Sequence, residues 1–471
     1  MPRPPSPPQG RPDRPQRPDR PQQRTDRPPH RTDRPSRPDR PQQRTAVPAL
    51  PANLPSWPGL ARIVLRPGTA TPVLSGHPWI FSGAIAHILP PPDGELVPGG
   101  ACAVFDPHGR YLGFGFYNAA SQIAVRVVEP GLDGLEPKSI PDAATLVRER
   151  LKRAAALRRD LGLPSASTNA FRLVNSEGDG LPGVTIDRFA DGAVVQISSA
   201  GASLWQPHIV ASLRSKDHGC AWVHVRVPTD IHPSEGLIGG NSEGFGDVPP
   251  EVVVHHNGLR LHVEPAGGQK TGMYCDQREN HSRVAELAKG RFVLDAYCHT
   301  GGFGLHAARA GASKVVAVDA SQRAVDLATA HATDNDLPMF TAQAADAIHV
   351  LRHYADLPPD GERPSLVIVD PPKFVARSAA LEQGLKKYTH VFTVAMQAVA
   401  QDGFLVACSC SGLVDRQTFL RLLGQAAHNA GRTVQLLELR SAAADHPVAP
   451  AHAEGSYLKV AICRVSGRLI A

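Results

Sequence analysis

Two thiols stand close together in one short stretch of the chain, Gly403–Gly412, whose sequence is GFLVACSCSG. Its first half predicts a buried strand, because a short apolar run follows a turn-forming Asp-Gly pair. In open α/β sheets ligands bind outside the carboxyl ends of the strands, so Cys410 stands where a reactive side chain belongs. A thiolate there can attack an electrophilic carbon and form a covalent intermediate. Cys408, inside the strand, and Cys298 are interpreted as packing residues.

Carboxylates recur where other apolar runs end. The four are Asp295, Asp319, Asp346 and Asp370. Asp319 is placed to accept hydrogen bonds from ribose hydroxyls. Asp346 falls where the next strand would end, and an acid there can accept from an adenine amino group. Two prolines follow Asp370 and end its strand abruptly, so its carboxylate is held at the carboxyl edge. Acids at four strand ends form a more specific pattern than any one motif.

A glycine-rich stretch, Cys298–Gly304, follows the strand that carries Asp295. Glycines there let the backbone approach a ligand closely, and a helix is predicted from about Leu305. The stretch differs from the dinucleotide fingerprint GxGxxG, and it lacks the lysine of a Walker A loop. From Gly290 onward strand-like and helix-like runs alternate, which predicts a doubly wound α/β sheet.

The charge of the chain is unevenly distributed. Residues 1–50 contain 12 Arg, 5 Asp and 15 Pro, which gives this segment a net charge of +7. The net charge of the whole chain is +6, so the charges of the remaining residues sum to −1. Arg17–Thr25 recurs unchanged at Arg37–Thr45. Frequent proline and the lack of apolar residues predict a disordered tail over residues 1–60. Its arginines suit phosphate backbones, and a solvated spacer is the open alternative.

Cysteine usage and hydropathy limit the cellular setting. Seven cysteines in 471 residues do not suggest a disulfide framework, and no Cys or His pairs stand at zinc spacing. No metal site is therefore predicted. The N-terminus has no apolar signal region, and no run approaches the roughly 20 residues of a membrane span. These features predict a soluble, cytoplasmic protein.

Two smaller domains are predicted before the α/β sheet. Residues 61–135 contain short strand-like runs separated by Gly and Pro turns. An amphipathic helix over 142–161 follows, with Asp142 as its N-cap and an arginine face interpreted as solvated. Strand patterns in the order β, β, α, β, β then predict a compact domain that extends to residue 265 and includes Leu259–Val263. Glu177 and Asp179 either reach a substrate or support a turn.

The motifs together resemble one family in their types and order. The matching stretches include His77–Gly83, Ala120–Arg126, Glu177–Phe189, Gln269–Arg278, Thr300–Phe303, Asp370–Phe374, Ser409–Gly412, Ala444–Pro447 and Glu454–Lys459. From Ala61 to Val465 the chain resembles the bacterial 23S rRNA (cytosine-5) methyltransferases of the RlmI type. Residues 1–60 have no counterpart in that pattern. The stretch Arg226–Gly236 also departs from it, with fewer basic residues before its final Glu-Gly.

This resemblance implies a domain order, a cofactor and a set of site residues. A disordered tail (1–60) would precede a PUA-like domain (61–135), a linker helix with a ββαββ domain (136–265) and a class I, seven-stranded methyltransferase domain (266–471). The implied cofactor is S-adenosyl-L-methionine, and the implied partner is 23S rRNA or a large-subunit assembly intermediate. The expected cofactor-binding residues are Asp295, Tyr297, Thr300, Gly301, Gly302, Phe303, Asp319, Asp346, Lys270, Gln277 and Arg278. A homodimer is an open alternative to a monomer.

The resemblance also implies that Cys410 is the nucleophile. Its thiolate would add to carbon 6 of cytosine, while Asp370 would hydrogen-bond the N3 and amino edge of the base. Two other interpretations stay open. Asp370-Pro-Pro resembles the motif of methyltransferases that act on exocyclic amines, although Lys373 and Phe374 replace the aromatic residue expected directly after the prolines. A non-catalytic RNA-binding or ribosome-assembly factor is the second alternative.

Overall fold

A computed structural model describes residues 49–52, 54–131, 142–267, 271–358 and 360–467 of the chain. Most of the predicted tail and the predicted cofactor residue Lys270 lie outside these described residues. Among the described residues, no helix combines the length and the apolar composition that crossing a bilayer requires.

The first sheet forms the predicted small β domain. Its strands are β1 (Ala61–Leu65), β2 (Trp79–Phe81), β3 (Ile85–Leu89), β4 (Gly100–Phe105), β5 (Tyr111–Tyr117) and β6 (Ile123–Pro130), with the short helix α1 (Thr71–Leu74). They lie in the order β2-β6-β5-β4-β1-β3. Leu54, Trp57 and Leu60 pack on the adjoining core, and the Trp57 ring stacks 6.4 Å from Phe105. The packed structure therefore begins before Ala61, because the apolar side chains of Leu54, Trp57 and Leu60 are packed on this core.

A second sheet of five strands follows the helix α2 (Ala143–Asp160), which Asp142 caps as predicted. The strands are β7 (Ala170–Asn175), β8 (Val184–Phe189), β9 (Gly192–Ile197), β10 (Val223–Arg226) and β11 (Ser242–Phe245), with helices α3 (Ala200–Leu204) and α4 (Gln206–Arg214). Their spatial order is β11-β10-β9-β8-β7. The predicted domain boundaries at 60, 135 and 265 remain predictions.

One arginine of α2 is buried, although the sequence predicted a solvated arginine face. Arg158 is 1% exposed, and its guanidinium binds both carboxylate oxygens of Asp179, at 2.6 and 2.8 Å. It also donates to the carbonyls of Arg172 and Asp445. A buried charge is tolerated when it is paired and fully hydrogen-bonded, and these partners come from distant parts of the sequence. Asp179 thus supports the turn after β7, as one of the two interpretations held.

A two-stranded hairpin joins the second sheet to the third. It consists of β12 (Val252–His256) and β13 (Leu259–Val263). The predicted strand Leu259–Val263 is therefore outside the five-stranded sheet, and its buried side chains share one core with Val293 and Leu305 of the C-terminal domain. The alternation of this strand marks a buried face but does not specify which sheet covers it.

The third sheet has seven strands. They are β14 (Phe292–Ala296), β15 (Lys314–Asp319), β16 (Phe340–Ala344), β17 (Leu366–Val369), β18 (Gly403–Ser409), β19 (Thr433–Arg440) and β20 (Lys459–Ser466). The helices of this domain are α5 (Arg278–Ala285), α6 (Gly302–Arg309), α7 (Gln322–Asp334), α8 (Ala347–Ala355), α9 (Leu381–Ala398) and α10 (Arg416–Ala430).

The order of the strands in this sheet is β16-β15-β14-β17-β18-β20-β19, and only β20 runs antiparallel to its neighbours. The predicted doubly wound, seven-stranded α/β fold is confirmed. The connections change direction between β14 and β17, and such a switch point opens a crevice at the carboxyl ends of the strands. The crevice is the position to which the sequence assigned its reactive groups.

Candidate active site

Asp370 and Cys410 directly follow the neighbouring strands β17 and β18, beside the switch point. Val369 of β17 pairs with Ala407 of β18, so the residues that follow the two strands leave the same edge of the sheet. Neighbouring strands are about 4.8 Å apart, which keeps the two side chains in one region. Both are partly exposed, whereas the residues just before them are buried. The structure therefore brings together the two predicted catalytic residues.

The carboxylate of Asp370 is oriented by an amide from the segment before the sheet. Gln277 Nε2 donates to Asp370 Oδ2 at 2.9 Å. Asn280 Nδ2 in turn donates to Gln277 Oε1 at 2.7 Å, so the nitrogen of Gln277 faces the carboxylate. Arg440 Nε donates to Asn280 Oδ1 at 2.9 Å. Gln277, predicted as a cofactor residue, is thus a neighbour of the reacting edge.

Lys459 lies beside the Cys410 segment, and sequence reasoning gave it no role. It is 5% exposed, and its ammonium donates to the carbonyls of Ser411, at 2.7 Å, and Tyr457, at 2.6 Å. Burial lowers the pKa of Lys459 to about 8, while the nearby Cys410 and Asp415 act to raise it. The sequence did contain a signal for Lys459, because this lysine stands in the apolar run of the last strand. A lysine is rarely buried in such a place without a partner.

The other thiols near the site are held in their protonated form. Burial raises the pKa of the Cys408 thiol well above its ordinary value, and the charge of Asp370 adds to this effect. Burial likewise raises the pKa of Cys298. A thiol is a poor nucleophile compared with a thiolate. Cys408 and Cys298 are therefore packing residues, while the partly exposed Cys410 is the thiol that can meet a substrate.

The glycine-rich turn between β14 and α6 has an unusual backbone. Tyr297 and His299 have positive φ angles of 63° and 49°, and Gly301 has a φ of 86°. Non-glycine residues in this left-handed region are uncommon and cluster at functional loops. A Cβ on Gly302 would lie 2.6 Å from Cε1 of His281. The backbone of Gly302 thus lies close to the His281 ring, in addition to any ligand that it approaches.

Asp295 presents a buried oxygen without a protein partner. The Asp295 side chain is fully buried, and its Oδ2 accepts a hydrogen bond from the Gly304 amide at 2.7 Å. Oδ1 has no hydrogen-bond partner within the described part of the chain. Burial raises the pKa of Asp295 to about 7, and the charges of Asp370 and Asp319 add to this effect. Such an oxygen suits a ligand that brings a positive charge or a donor group.

The remaining predicted acids stand along the same edge. Asp319 accepts from the amides of His299 and Ser321, both at 2.9 Å, so it holds the glycine-rich turn from the end of β15. Asp346 is exposed, and its side chain accepts from the Ile348 amide at 2.7 Å as the N-cap of α8. Strands β14, β15 and β16 are neighbours, so their acids follow one another along the crevice.

Arg278 is committed to an interior ion pair. Its Nη2 lies 3.2 Å from Asp445 Oδ1, and the Asp445 carboxylate also accepts from the Arg172 amide at 2.9 Å. Its other carboxylate partner is Glu279. Asp445 and Glu279 were not among the residues predicted to bind the cofactor. Arg278 thus fixes the chain around Gln277 through buried contacts.

A cavity of about 210 Å³ lies between the first two sheets and the C-terminal domain. Trp79, Glu177, His452 and Tyr457 are among the residues that line it. Trp79 Nε1 donates to Glu177 Oε1 at 2.8 Å, and Arg126 Nη1 donates to the same oxygen at 3.1 Å. Glu177 is thereby paired within the protein, which supports the turn interpretation for this residue as well.

Two parts of the chain match known protein families. Residues 63–130 match the family model of a PUA-like domain, and residues 245–453 match that of an S-adenosylmethionine-dependent methyltransferase. Ribosomal RNA large subunit methyltransferase I of Shewanella denitrificans is 35% identical over 86% of this chain and 99% of its own length. The Escherichia coli protein of the same name gives the same values. The chain belongs to the ribosomal RNA large subunit methyltransferase I family.

Solved structures agree with the fold of this methyltransferase family member. A Streptococcus mutans structure assigned as a SAM-dependent methyltransferase has a TM-score of 0.71 at 19% identity, covering 86% of this chain and 99% of its own. A second methyltransferase structure, complexed with SAH, has a TM-score of 0.72 with the same identity and coverage. At this identity the two structures support the fold alone.

The cofactor of this methyltransferase is S-adenosyl-L-methionine. The residues along the crevice fit it, because the buried Oδ1 of Asp295 needs a cationic or donor group. Asp295 is the next-to-last residue of β14, Asp319 is the last residue of β15, and Asp346 follows β16. A strained turn that ends in a helix N-terminus also fits a ligand site. The resemblance stated from the motifs is confirmed.

Proposed function

We propose that this chain methylates carbon 5 of a cytosine in 23S rRNA, with Cys410 as a covalent nucleophile. The observation that carries the proposal is the placement of Cys410 and Asp370 directly after the adjacent strands β18 and β17, beside the switch point, with Asp370 oriented by Gln277. The relatives are named for methylation of large-subunit ribosomal RNA, which supports the substrate class.

Carbon 5 of cytosine is a poor nucleophile, so the reaction needs the ring to be activated first. The Cys410 thiolate adds to carbon 6, and the electron pair of the C5–C6 double bond becomes available at carbon 5. When bound, S-adenosyl-L-methionine would supply an electrophilic methyl group on its sulfonium, which carbon 5 would accept while S-adenosyl-L-homocysteine leaves. Solvent would then take the C5 proton, which restores the C5–C6 double bond and expels the Cys410 thiolate. Covalent catalysis thus replaces one difficult step with easier ones.

Asp370 holds the base in this proposal. Its carboxylate accepts from the amino group and from the protonated N3 of cytosine, which stabilises the ring as carbon 6 is attacked. A carboxylate offers about four lone-pair sites, so the bond from Gln277 leaves capacity for the base. That bond also restricts rotation of the carboxylate, because the amide of Gln277 is itself held by Asn280.

Lys459 stabilises the attacking thiolate. Its ammonium is anchored to the Ser411 carbonyl, one residue beyond Cys410, and it interacts electrostatically with Cys410. A lysine beside a cysteine favours the thiolate and lowers the thiol pKa. The backbone contacts fix the ammonium in place, so this support exists before the substrate binds.

The cofactor contacts follow the strand order. We assign Asp319 to the ribose hydroxyls, Asp346 to the adenine amino group and Asp295 to a cationic group of the cofactor. Tyr297, Thr300, Gly301, Gly302 and Phe303 form the turn that lies against it. The ion pair of Arg278 with Asp445 holds the chain around Gln277, and a contact of Arg278 with the cofactor stays a prediction. Lys270 stays a predicted contact.

The RNA contacts extend beyond the crevice. A target base must leave its stack or be unpaired to reach Cys410, and flanking nucleotides then need a surface. The cavity beside Trp79 and Tyr457, next to the PUA-like domain, is assigned to such a nucleotide. The Arg-rich tail adds salt-dependent phosphate contacts. We infer a cytoplasmic location from the proposed action on ribosomal RNA. A homodimer stays a prediction.

The test maps methylated cytosines in 23S rRNA. RNA from a deletion strain and from a strain complemented with this gene is analysed by bisulfite sequencing and mass spectrometry. We expect one 5-methylcytosine to disappear on deletion and to return on complementation. Transfer to an exocyclic amine, or RNA binding without transfer from labelled S-adenosyl-L-methionine, would contradict the proposal.

A further inference from the structure

Three buried histidines meet beneath the glycine-rich turn. His256 ends β12, His281 lies in the middle of α5, and His306 lies in α6. One ring nitrogen from each can be chosen so that all lie within 4.8 Å of one another. The ring centroids are 5.1 to 5.6 Å apart. These residues are outside the proposed catalytic machinery, and no role follows for them from methyl transfer.

We propose that His256, His281 and His306 bind one divalent transition-metal ion of the class that imidazole ligands favour, with zinc as its representative. Zinc sites with three protein nitrogens and one further position are well known, and imidazole is a preferred ligand of zinc, copper and nickel. The sequence predicted no metal because the three histidines come from separate elements and follow no zinc spacing.

The hydrogen bonding of the cluster suits ligation. His306 Nδ1 lies 2.6 Å from the carbonyl of Gly302, which can only accept, so Nδ1 carries the proton and Nε2 keeps its lone pair. Metal-binding histidines commonly donate their second nitrogen to a carbonyl in this way. His306 Nε2, both ring nitrogens of His256 and Nδ1 of His281 are buried and have no hydrogen-bond partner among the described residues.

The geometry requires only small movements of the rings. Zinc–nitrogen bonds of about 2.0–2.1 Å in a tetrahedron place ligand nitrogens roughly 3.3 Å apart. The nitrogens lie within 4.8 Å of one another, so a bound ion would draw them together by at most about 1.5 Å. Three imidazoles fill three positions, and a water molecule fills the fourth.

A bound ion would connect three elements around the cofactor turn. Helix α5 begins directly after Gln277, and α6 begins at Gly302, whose backbone lies against the His281 ring. The ion would fix the distance between these helices and the β12–β13 hairpin. The inferred role is structural, and it holds whichever base the enzyme methylates.

Packing is the competing explanation for the cluster. The edge of His281 contacts Phe303, with ring centroids 4.5 Å apart, and His281 stacks on His306 at an interplanar angle of 27°. Neutral histidines can serve as aromatic core residues in such an arrangement. This explanation predicts that no metal binds and that an apolar ring can replace His281.

The experiment measures metal in the full-length protein, purified without a polyhistidine tag. Elemental analysis should give about one zinc or similar ion per chain, and removal with a chelator should lower Tm until zinc is restored. His256→Asn and His306→Asn should each weaken zinc binding at least roughly 100-fold while circular dichroism shows a folded protein. His224→Asn is the matched control, because His224 is buried in β10, outside the cluster.

Three results would overturn the proposal. The first is a wild-type protein that holds well under about 0.1 equivalent of metal and whose Tm zinc does not change. The second is equal loss of zinc in His224→Asn and His256→Asn, which would place the metal elsewhere. The third is a His281→Phe variant that keeps the wild-type Tm and shows the same response to chelator.

Discussion

Gln277 Nε2 donates a hydrogen bond of 2.9 Å to Asp370 Oδ2, and the two residues are 93 positions apart in the chain. The contact joins the segment before the seven-stranded sheet to the proposed base-holding carboxylate. Because Asn280 fixes the amide of Gln277, and Arg440 in turn binds Asn280, this carboxylate is oriented through a series of three residues. Gln277 and Asn280 thus support the proposed reacting edge from outside the sheet.

Substitutions at this contact should separate orientation from chemistry. We expect Asp370→Asn to lower kcat for methyl transfer by roughly 10²–10³-fold, because the base loses its anionic acceptor. Gln277→Leu should lower kcat roughly 10-fold, since it frees the carboxylate to rotate. Steady-state kinetics with RNA, together with calorimetry of S-adenosyl-L-methionine binding, measure both effects. The control is Gln401→Leu, at an exposed position. The positioning role would be contradicted if Gln277→Leu bound the cofactor more weakly and this weaker binding accounted for its lower rate.

Replacement of Cys410 should stop the reaction after binding. Cys410→Ala is expected to lower methyl transfer by at least roughly 10³-fold, because no other group can form the carbon 6 adduct. Cofactor affinity should stay within about twofold of the wild-type value. RNA that carries 5-fluorocytosine at the target should trap a covalent complex with wild-type protein, since fluorine cannot leave as a proton does.

Cys408→Ala is the matched control for Cys410. It removes a thiol two residues before Cys410, inside β18, and the resulting small cavity lowers the free energy of unfolding by roughly 1 kcal/mol. This variant should still form the trapped complex on denaturing gels. A trapped complex with Cys410→Ala, or its loss in Cys408→Ala alone, would assign the nucleophile differently.

The strand ends could be predicted from the sequence because their signals are local. Central parallel strands are buried on both faces, so each appears as an apolar run, and Asp319 or Asp370 marks its carboxyl end. The contacts of those residues could not be predicted in the same way. The Gln277–Asp370 bond and the burial of Arg158 against Asp179 depend on how segments that are distant in the sequence pack together. The cluster of His256, His281 and His306 likewise has no local pattern.

Lys459 should control the ionisation of Cys410. We expect Lys459→Met to shift the pH midpoint of Cys410 alkylation upward by about one unit, which lowers the alkylation rate at pH 7 roughly 10-fold. The pKa of Lys459 is about 8, so the wild-type advantage should be full below that pH and fade above it as the lysine loses its proton. Mass spectrometry of the alkylated peptide over pH measures this directly. Exposed Lys386→Met should match the wild type, and identical curves for Lys459→Met would remove Lys459 from the mechanism.

Asp295 should make the cofactor-free protein less stable as pH rises. Its pKa is raised by burial from 3.8 to about 7, so the unfolded chain releases this proton at lower pH than the folded protein does. Stability from this group is therefore present below pH 3.8 and is lost as pH rises to about 7. The raised pKa corresponds to a loss of about 4 kcal/mol in the free energy of unfolding once the pH is above about 7.

Asp295→Asn removes this titration and retains a similar shape. Without cofactor, the variant should gain stability over the wild type progressively from about pH 4 to pH 7 and hold a constant advantage above that. Urea unfolding at a series of pH values measures the difference, and Asp326→Asn, on the exposed side of α7, is the control. The same Asp295→Asn variant should bind S-adenosyl-L-methionine more weakly, because the buried carboxylate no longer meets a cationic group. A stability difference that does not change with pH would show that Asp295 titrates normally in the folded protein.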